Sequence, residues 1–143
     1  MDHDHYPDAY LRDILESVHR IAVVGASKRP QRPSHGVMRY LQSRGYRTIP
    51  VNPNAAGERI HGELCFASLD EVPGAVDMAD IFRRSDAVAA AIDDAIRKGV
   101  RVIWLQLGLR NDLAAARAEA KGIRVVMDRC PAIEIPRLGL LPR

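Results

Sequence analysis

The fold is decided by a stretch near the start of the chain, residues 23–35, which reads VVGASKRPQRPSH. It continues an apolar run that begins at Ile21 and stops abruptly at Gly25, as a buried strand does before a tight turn. The loop that follows is basic and broken by prolines, and Ser34 opens an amphipathic helix. Amide N–H groups and the dipole at a helix N-terminus attract anions. The stretch therefore predicts a binding site for a phosphorylated nucleotide cofactor.

Length and composition predict one globular domain covering residues 1–143, with a flexible tail at residues 1–7. The 143 residues are 47% hydrophobic and 27% charged, which is typical of a soluble folded protein. No apolar stretch approaches the roughly 20 residues that a membrane span requires, and the polar N-terminus lacks the features of a secretory signal. We therefore expect a cytoplasmic protein that does not act at a membrane.

Five apolar segments alternate with helical patterns along the chain. The strands are predicted at residues 21–24, 46–53, 76–82, 100–106 and 123–127, and an extra helix precedes them at residues 8–19. This alternation predicts the α/β class, as a three-layer, Rossmann-like, doubly wound sheet of five mainly parallel strands. With right-handed crossovers, the expected strand order is 3-2-1-4-5.

In such a sheet, ligands bind beyond the C-terminal ends of the strands, so the residues that follow each strand are candidate site residues. This set is rich in phosphate-binding groups and contains no plausible acid–base pair. In strand order it comprises Gly25, Ala26 and Ser27 with the basic loop; Asn52 and Pro53; Phe82, Arg83, Arg84 and Ser85; Gln106 and Gly108; and Asp128, Arg129 and Cys130.

The pattern disfavours an NAD site. The GxGxxG fingerprint is absent, and Asn52 stands where an NAD enzyme places the acid that binds the ribose, with no carboxylate before Glu58. An NADP-linked oxidoreductase remains an alternative, because Arg83 or Arg84 could bind a 2′-phosphate.

Five motifs occur together in a characteristic order: GAS (25–27) with Ser34, PVNP (50–53), VDMADIFRRS (76–85), VIWLQLG (102–108) and VVMDRCP (125–131). They resemble the small bacterial CoA-binding domain family, single-domain Rossmann-like proteins similar to the CoA-binding domain of the succinate–CoA ligase alpha subunit. The resemblance covers roughly residues 10–140.

The resemblance implies that coenzyme A, or an acyl-CoA, lies extended across the C-terminal edge of the sheet. It assigns the phosphates to Gly25, Ala26, Ser27, Arg32 and Ser34; the border of the nucleotide to Asn52 and Pro53; the adenine and its phosphorylated ribose to Phe82, Arg83, Arg84 and Ser85; and the pantetheine arm to Gln106 and Gly108. No catalytic or metal-binding residue is implied.

The leading hypothesis is a non-catalytic or regulatory CoA-binding module whose partner is this small nucleotide cofactor. The chain shows no phosphohistidine domain, so ligase activity is not implied, although a component of a CoA-transfer enzyme is an alternative. A nucleic-acid or protein-interaction module, suggested by a pI of about 9.1 and 18 arginines, ranks last because no nucleic-acid-binding pattern is visible. Cys130 has no evident histidine partner, and the sequence alone does not support its disulfide with CoA.

Overall fold

A computed structural model describes residues 1–143 as a parallel sheet with helices packed on both faces. The main strands are β1 (Arg20–Val24), β2 (Arg47–Val51), β5 (Met78–Ile81), β6 (Val102–Leu105) and β7 (Arg124–Val126), and a small antiparallel hairpin is formed by β3 (Arg59–Ile60) and β4 (Glu63–Leu64). The helices are α1 (Asp8–Ser17), α2 (Pro33–Ser43), α3 (Val88–Lys98), α4 (Asp112–Ala120) and α5 (Pro131–Arg137). None of them is long and apolar enough to cross a membrane.

The α/β class and the five parallel strands are confirmed, but the predicted strand order is wrong. The order is β2-β1-β5-β6-β7, so the third main strand pairs with β1 and not with β2. Pro50 gives the physical reason. Its carbonyl faces outward and accepts a hydrogen bond from the Phe66 amide at 3.0 Å, while its nitrogen has no proton to donate. A full strand could not be hydrogen-bonded on that side, and β2 is therefore an edge strand.

Side chains alternate between two hydrophobic layers. Along β5 and β6, Ala79 and Ile103 belong to the layer that contains α3 and α4. Met78 and Trp104 belong to the layer that contains α1, α2 and α5. Both faces of the sheet are buried, which explains why the strands are almost continuously apolar.

The first seven residues, for which the sequence predicts a flexible tail, include two side chains held against the domain. Tyr6 is only 5% exposed, and its hydroxyl accepts a hydrogen bond from the Met127 amide at 2.8 Å. The His3 ring lies 3.1 Å from a carboxylate oxygen of Glu119. Together these contacts connect the N-terminus to the residue after β7 and to α4.

Candidate ligand-binding cleft

A cleft of about 780 Å³ opens at the C-terminal edge of the sheet, where the chain leaves β1, β5 and β6. It brings together ten of the thirteen residues for which the sequence predicts a binding role. These are Gly25, Ala26, Ser27, Arg32, Ser34, Asn52, Phe82, Arg83, Arg84 and Gln106. Pro53, Ser85 and Gly108 do not line the cleft. Pro53 opens a 3₁₀ turn over Pro53–Ala55, and Ser85 opens another over Ser85–Ala87.

Gly25 is required where β1 leaves the sheet, because two backbones meet there. Its amide donates to the Val51 carbonyl at 2.8 Å, and its φ is +91°. A Cβ at this position would stand 2.0 Å from the carbonyl oxygen of Phe82. Only glycine allows the loop after β1 to pass so close to the end of β5.

The loop between β1 and α2 is held by two serines. Ser34 is 3% exposed, and its hydroxyl accepts a hydrogen bond from the Ser27 amide at 3.1 Å. The Ser27 hydroxyl accepts one from the Arg29 amide, also at 3.1 Å. The amides of Ala26, Lys28 and Ser34 donate to no group of the protein. Several free N–H groups in one loop at the start of a helix suit a bound phosphate.

Arginines that donate to no acceptor in the protein are concentrated at this cleft. Thirteen of the eighteen arginines donate to a carboxylate or a backbone carbonyl. The other five have no acceptor, and they are Arg29, Arg32, Arg39, Arg47 and Arg83. Three of these five line the cleft, namely Arg29, Arg32 and Arg83. These guanidinium groups are therefore available to a ligand.

Two further cations at the cleft are already paired. The Lys28 ammonium lies 2.5 Å from a Glu58 carboxylate oxygen, and Arg84 lies 3.2 Å from Asp86. The Arg84 pair is highly exposed, with side chains 85% and 70% accessible, so water screens it and a competing anion can separate it.

The Asn52 side chain connects the loop after β1 to the turn after β2. Its side-chain amide donates to the Ala26 carbonyl at 2.8 Å, and its side-chain oxygen accepts from the Asn54 amide at 3.0 Å. Both ends of the side chain are thereby used inside the protein. Asn52 positions the loop after β1, and it is not free to take the place of the acid that binds ribose in NAD enzymes.

The part of the cleft that follows β6 and β7 carries no charge. It is lined by Gln106, Leu107, Leu109 and Cys130. Gln106 is 7% exposed, and its side-chain oxygen has no hydrogen-bond partner. A buried acceptor without a donor is destabilising, so this oxygen can gain most from a ligand that presents an N–H group.

A buried carboxyl group lies on the strand that leads into the cleft. Asp80 is fully buried in β5, two residues before Phe82, and both of its oxygens lack a hydrogen-bond partner. Burial raises the pKa of Asp80 well above its usual range. Asp80 does not line the cleft, so it does not supply a carboxylate to the candidate site.

Ten cleft residues were not among the thirteen with a predicted binding role, although Cys130 was among the candidate residues that follow the strands. They are Lys28, Arg29, Pro33, Val37, Asn54, Ala55, Glu58, Leu107, Leu109 and Cys130. Lys28 and Arg29 carried a signal, since both lie in the basic loop. Glu58 had none, because its pairing with Lys28 depends on how a separate loop folds back. In this structure no three histidine, cysteine or acidic side chains are grouped as metal ligands would be.

Comparison with known proteins identifies the family. A family model described as "CoA binding domain" matches residues 19–136. The chain belongs to the CoA-binding domain family. The YneT protein of Bacillus subtilis is 38% identical over 122 residues, which cover 85% of this chain and 89% of that protein.

Other members and relatives differ in size. A solved structure from Thermus thermophilus is 40% identical and superposes with a TM-score of 0.88, over 93% of this chain and 99% of that one. The alpha subunit of the ADP-forming acetate–CoA ligase II of Pyrococcus furiosus is 28% identical over 124 residues. This match spans only 27% of the ligase subunit, so the similarity is to one region of a larger protein.

Proposed function

We propose that this protein binds coenzyme A, or an acyl-CoA, in the cleft at the C-terminal edge of its sheet, as a non-catalytic or regulatory module. The observation that carries the proposal is the uneven distribution of charge in the cleft. Free amides and unpaired arginines follow β1 and β5, whereas an uncharged surface with one unpartnered oxygen follows β6 and β7. Coenzyme A has the same asymmetry, with phosphates in its nucleotide half and an uncharged pantetheine arm.

Strand spacing supports this orientation. In the sheet order, β1 and β6 are separated by one strand, β5. Neighbouring strands lie about 4.8 Å apart, so the phosphate-binding loop and Gln106 are roughly 10 Å apart along the sheet edge. A ligand must be extended to reach both, and an arm that contains amide groups can donate to the Gln106 oxygen on the way.

The ionisable groups of the cleft support a binding role over a catalytic one. The one carboxylate that lines the cleft, Glu58, is paired with Lys28, and no histidine lines it. General acid–base catalysis needs a positioned group that can exchange a proton near neutral pH. Arginines that remain protonated at all relevant pH values bind phosphate but do not exchange protons.

A thermal-shift panel tests the proposal. The protein is melted with CoA, acetyl-CoA, NAD⁺, NADP⁺, ATP or a DNA duplex, because a ligand selective for the folded state raises the melting temperature. We expect CoA and acetyl-CoA to raise it, NAD⁺ and NADP⁺ to have little effect, and DNA to have none. Native mass spectrometry of freshly purified protein checks for bound CoA in parallel. No shift with CoA at millimolar concentration would reject the proposal.

A further inference from the structure

The two cysteines of the chain occupy different environments. Both are free thiols. Cys130, directly before α5, lines the cleft, and its sulfur makes no hydrogen bond; it is 6% exposed. Cys65 is 2% exposed, lies outside the cleft, and its thiol donates to the Asn52 carbonyl at 3.6 Å. Burial also raises the pKa of the Cys65 thiol.

A second feature beside Cys130 points to a ligand. The Gln106 side chain is more than nine-tenths buried, lines the same cleft, and leaves its oxygen without a donor. The surrounding surface is formed by Leu107 and Leu109 and carries no charge. An acceptor in apolar surroundings suits a ligand segment that offers an amide N–H and continues in apolar atoms.

Cys130 shares the uncharged part of the cleft with Gln106. It lies four residues after β7 ends and packs in the layer that contains α2 and α5. The indole of Trp104 on β6 donates to the Arg129 carbonyl at 2.9 Å, which holds the residue before Cys130 against the Trp104 side chain. With phosphates at the loop after β1 and an arm passing Gln106, the terminal thiol of coenzyme A arrives beside Cys130.

We propose that Cys130 is a redox capture site, which forms a mixed disulfide with the thiol of coenzyme A bound in the cleft when hydrogen peroxide is present. The inference rests on the proposed binding of CoA. A thiolate in the cleft attacks the peroxide, which is reduced to water as the sulfur becomes a sulfenic acid. The second thiol attacks this sulfur, forms the S–S bond and releases a second water. Overall, two thiols and one peroxide give one disulfide and two waters.

The disulfide would change the protein from a reversible binder into a covalent carrier of CoA. Because Cys130 is 6% exposed and lines the cleft, CoA in the cleft also shields it from larger thiols in solution. A dithiol reductant restores the free state, because it attacks the disulfide and releases both thiols as it is itself oxidised to a disulfide.

The test uses the full chain loaded with CoA and treated with hydrogen peroxide. Intact-mass spectrometry without reductant should show one adduct with the mass of CoA less two hydrogens, and dithiothreitol should remove it. Acetyl-CoA, whose sulfur is already acylated, should give no adduct. Cys130→Ser should abolish the adduct, and the matched control Cys65→Ser should retain it. Peptide mapping of the wild-type adduct locates the modified cysteine independently of how either variant folds.

The outcomes separate this inference from the proposed function. CoA binding is measured first by calorimetry on the wild type under reducing conditions. If CoA does not bind, both proposals are rejected. If CoA binds but peroxide gives no adduct, or an adduct on Cys65, the capture site is rejected while the binding function stands.

Discussion

The two ends of the cleft are built in different ways. At the end that follows β1, the ligand-facing groups are backbone amides and unpaired arginines, fixed by Gly25, Ser34 and Asn52. At the end that follows β6 and β7, the surface is uncharged and includes the buried Gln106 oxygen, which has no hydrogen-bond partner. The first end offers backbone amides and arginine side chains to a ligand. The second end offers an apolar surface and the Gln106 oxygen as an acceptor. We therefore expect mutations at the first end to have the larger effects.

The largest effect is expected from Gly25→Val. The new side chain would meet the Phe82 carbonyl and force a residue with φ near +91° into a strained conformation. Such strain costs roughly 1–3 kcal/mol before the clash is counted, so we expect a large loss of stability together with loss of CoA binding. Chemical denaturation and calorimetry measure the two losses.

Gly36→Ala is the matched control. Gly36 lies within α2, and a Cβ there would meet nothing within 4 Å. Alanine in a helix is favoured over glycine by roughly 0.5–1 kcal/mol. The control should be as stable as the wild type or more so, and should still bind CoA. Equal losses in both glycine variants would contradict the role assigned to Gly25.

The next largest effect, a loss of CoA affinity, is expected from removing the unpaired arginines of the cleft. Removing one hydrogen bond to a charged group costs about 1.5–3 kcal/mol, so the double variant Arg32→Ala/Arg83→Ala should lose roughly 100-fold or more in CoA affinity. Neither arginine has a partner in the protein, so the melting temperature of the free protein should hardly change. The control Arg39→Ala/Arg47→Ala removes two equally unpaired arginines outside the cleft. Equal affinity losses in the two variants would indicate a general charge effect and not a site.

A smaller effect is expected at the uncharged end. Gln106→Leu removes the unpartnered oxygen, and a neutral hydrogen bond contributes about 1 kcal/mol, which is roughly a fivefold change in affinity. The loss should appear for CoA but not for 3′-phospho-ADP, which lacks the arm. Equal loss for both ligands would show that Gln106 does not contact the arm.

The smallest effect on binding, but a clear effect on stability, is expected from Asp80→Asn. Burial raises the pKa of Asp80, so the folded chain holds this proton above the ordinary pKa of about 3.9, where the unfolded chain has released it. Wild-type stability should therefore fall as pH rises from about 4 through the folded-state pKa. The variant should lack this fall while binding CoA normally. Denaturation at a series of pH values measures the stability of both proteins. Parallel dependence of the two stabilities on pH would contradict the raised pKa of Asp80.

Asp77, the residue directly before β5, is expected to show the opposite dependence of stability on pH. Burial opposes its ionisation, but the backbone amides of Arg20 and His19 and the Arg101 guanidinium outweigh burial and lower its pKa. Its contribution to stability is present above the ordinary pKa and lost as pH falls through the lowered one. Asp77→Asn should therefore cost stability at neutral pH, in contrast to Asp80→Asn.

The sequence predicted the features that depend on local pattern. The alternation of strands and helices, the glycine turn after β1 and the basic loop are all written in consecutive residues. Pro50 also carried a signal for the strand order, because a proline within a strand indicates an edge, but the predicted order placed the second strand between two others.

Features that depend on distant contacts could not be predicted. Nothing in the sequence separates Arg83, which is unpaired, from Arg101, which is paired with Asp77 at 3.1 Å. The role of Asn52 depends on its approach to Ala26, and the exposure of Cys130 to the cleft depends on how β7 and α5 pack. Each of these is set by tertiary structure.

Binding of coenzyme A in the cleft can be followed residue by residue, by titrating coenzyme A into isotope-labelled protein and recording the amide resonances by NMR. We expect saturable shifts in the Ala26, Lys28 and Ser34 amides and in the Gln106 side chain, with little change around Arg47 at the opposite end of the strands. An absence of saturable shifts at millimolar CoA, or shifts confined to residues outside the cleft, would contradict binding of CoA in the cleft.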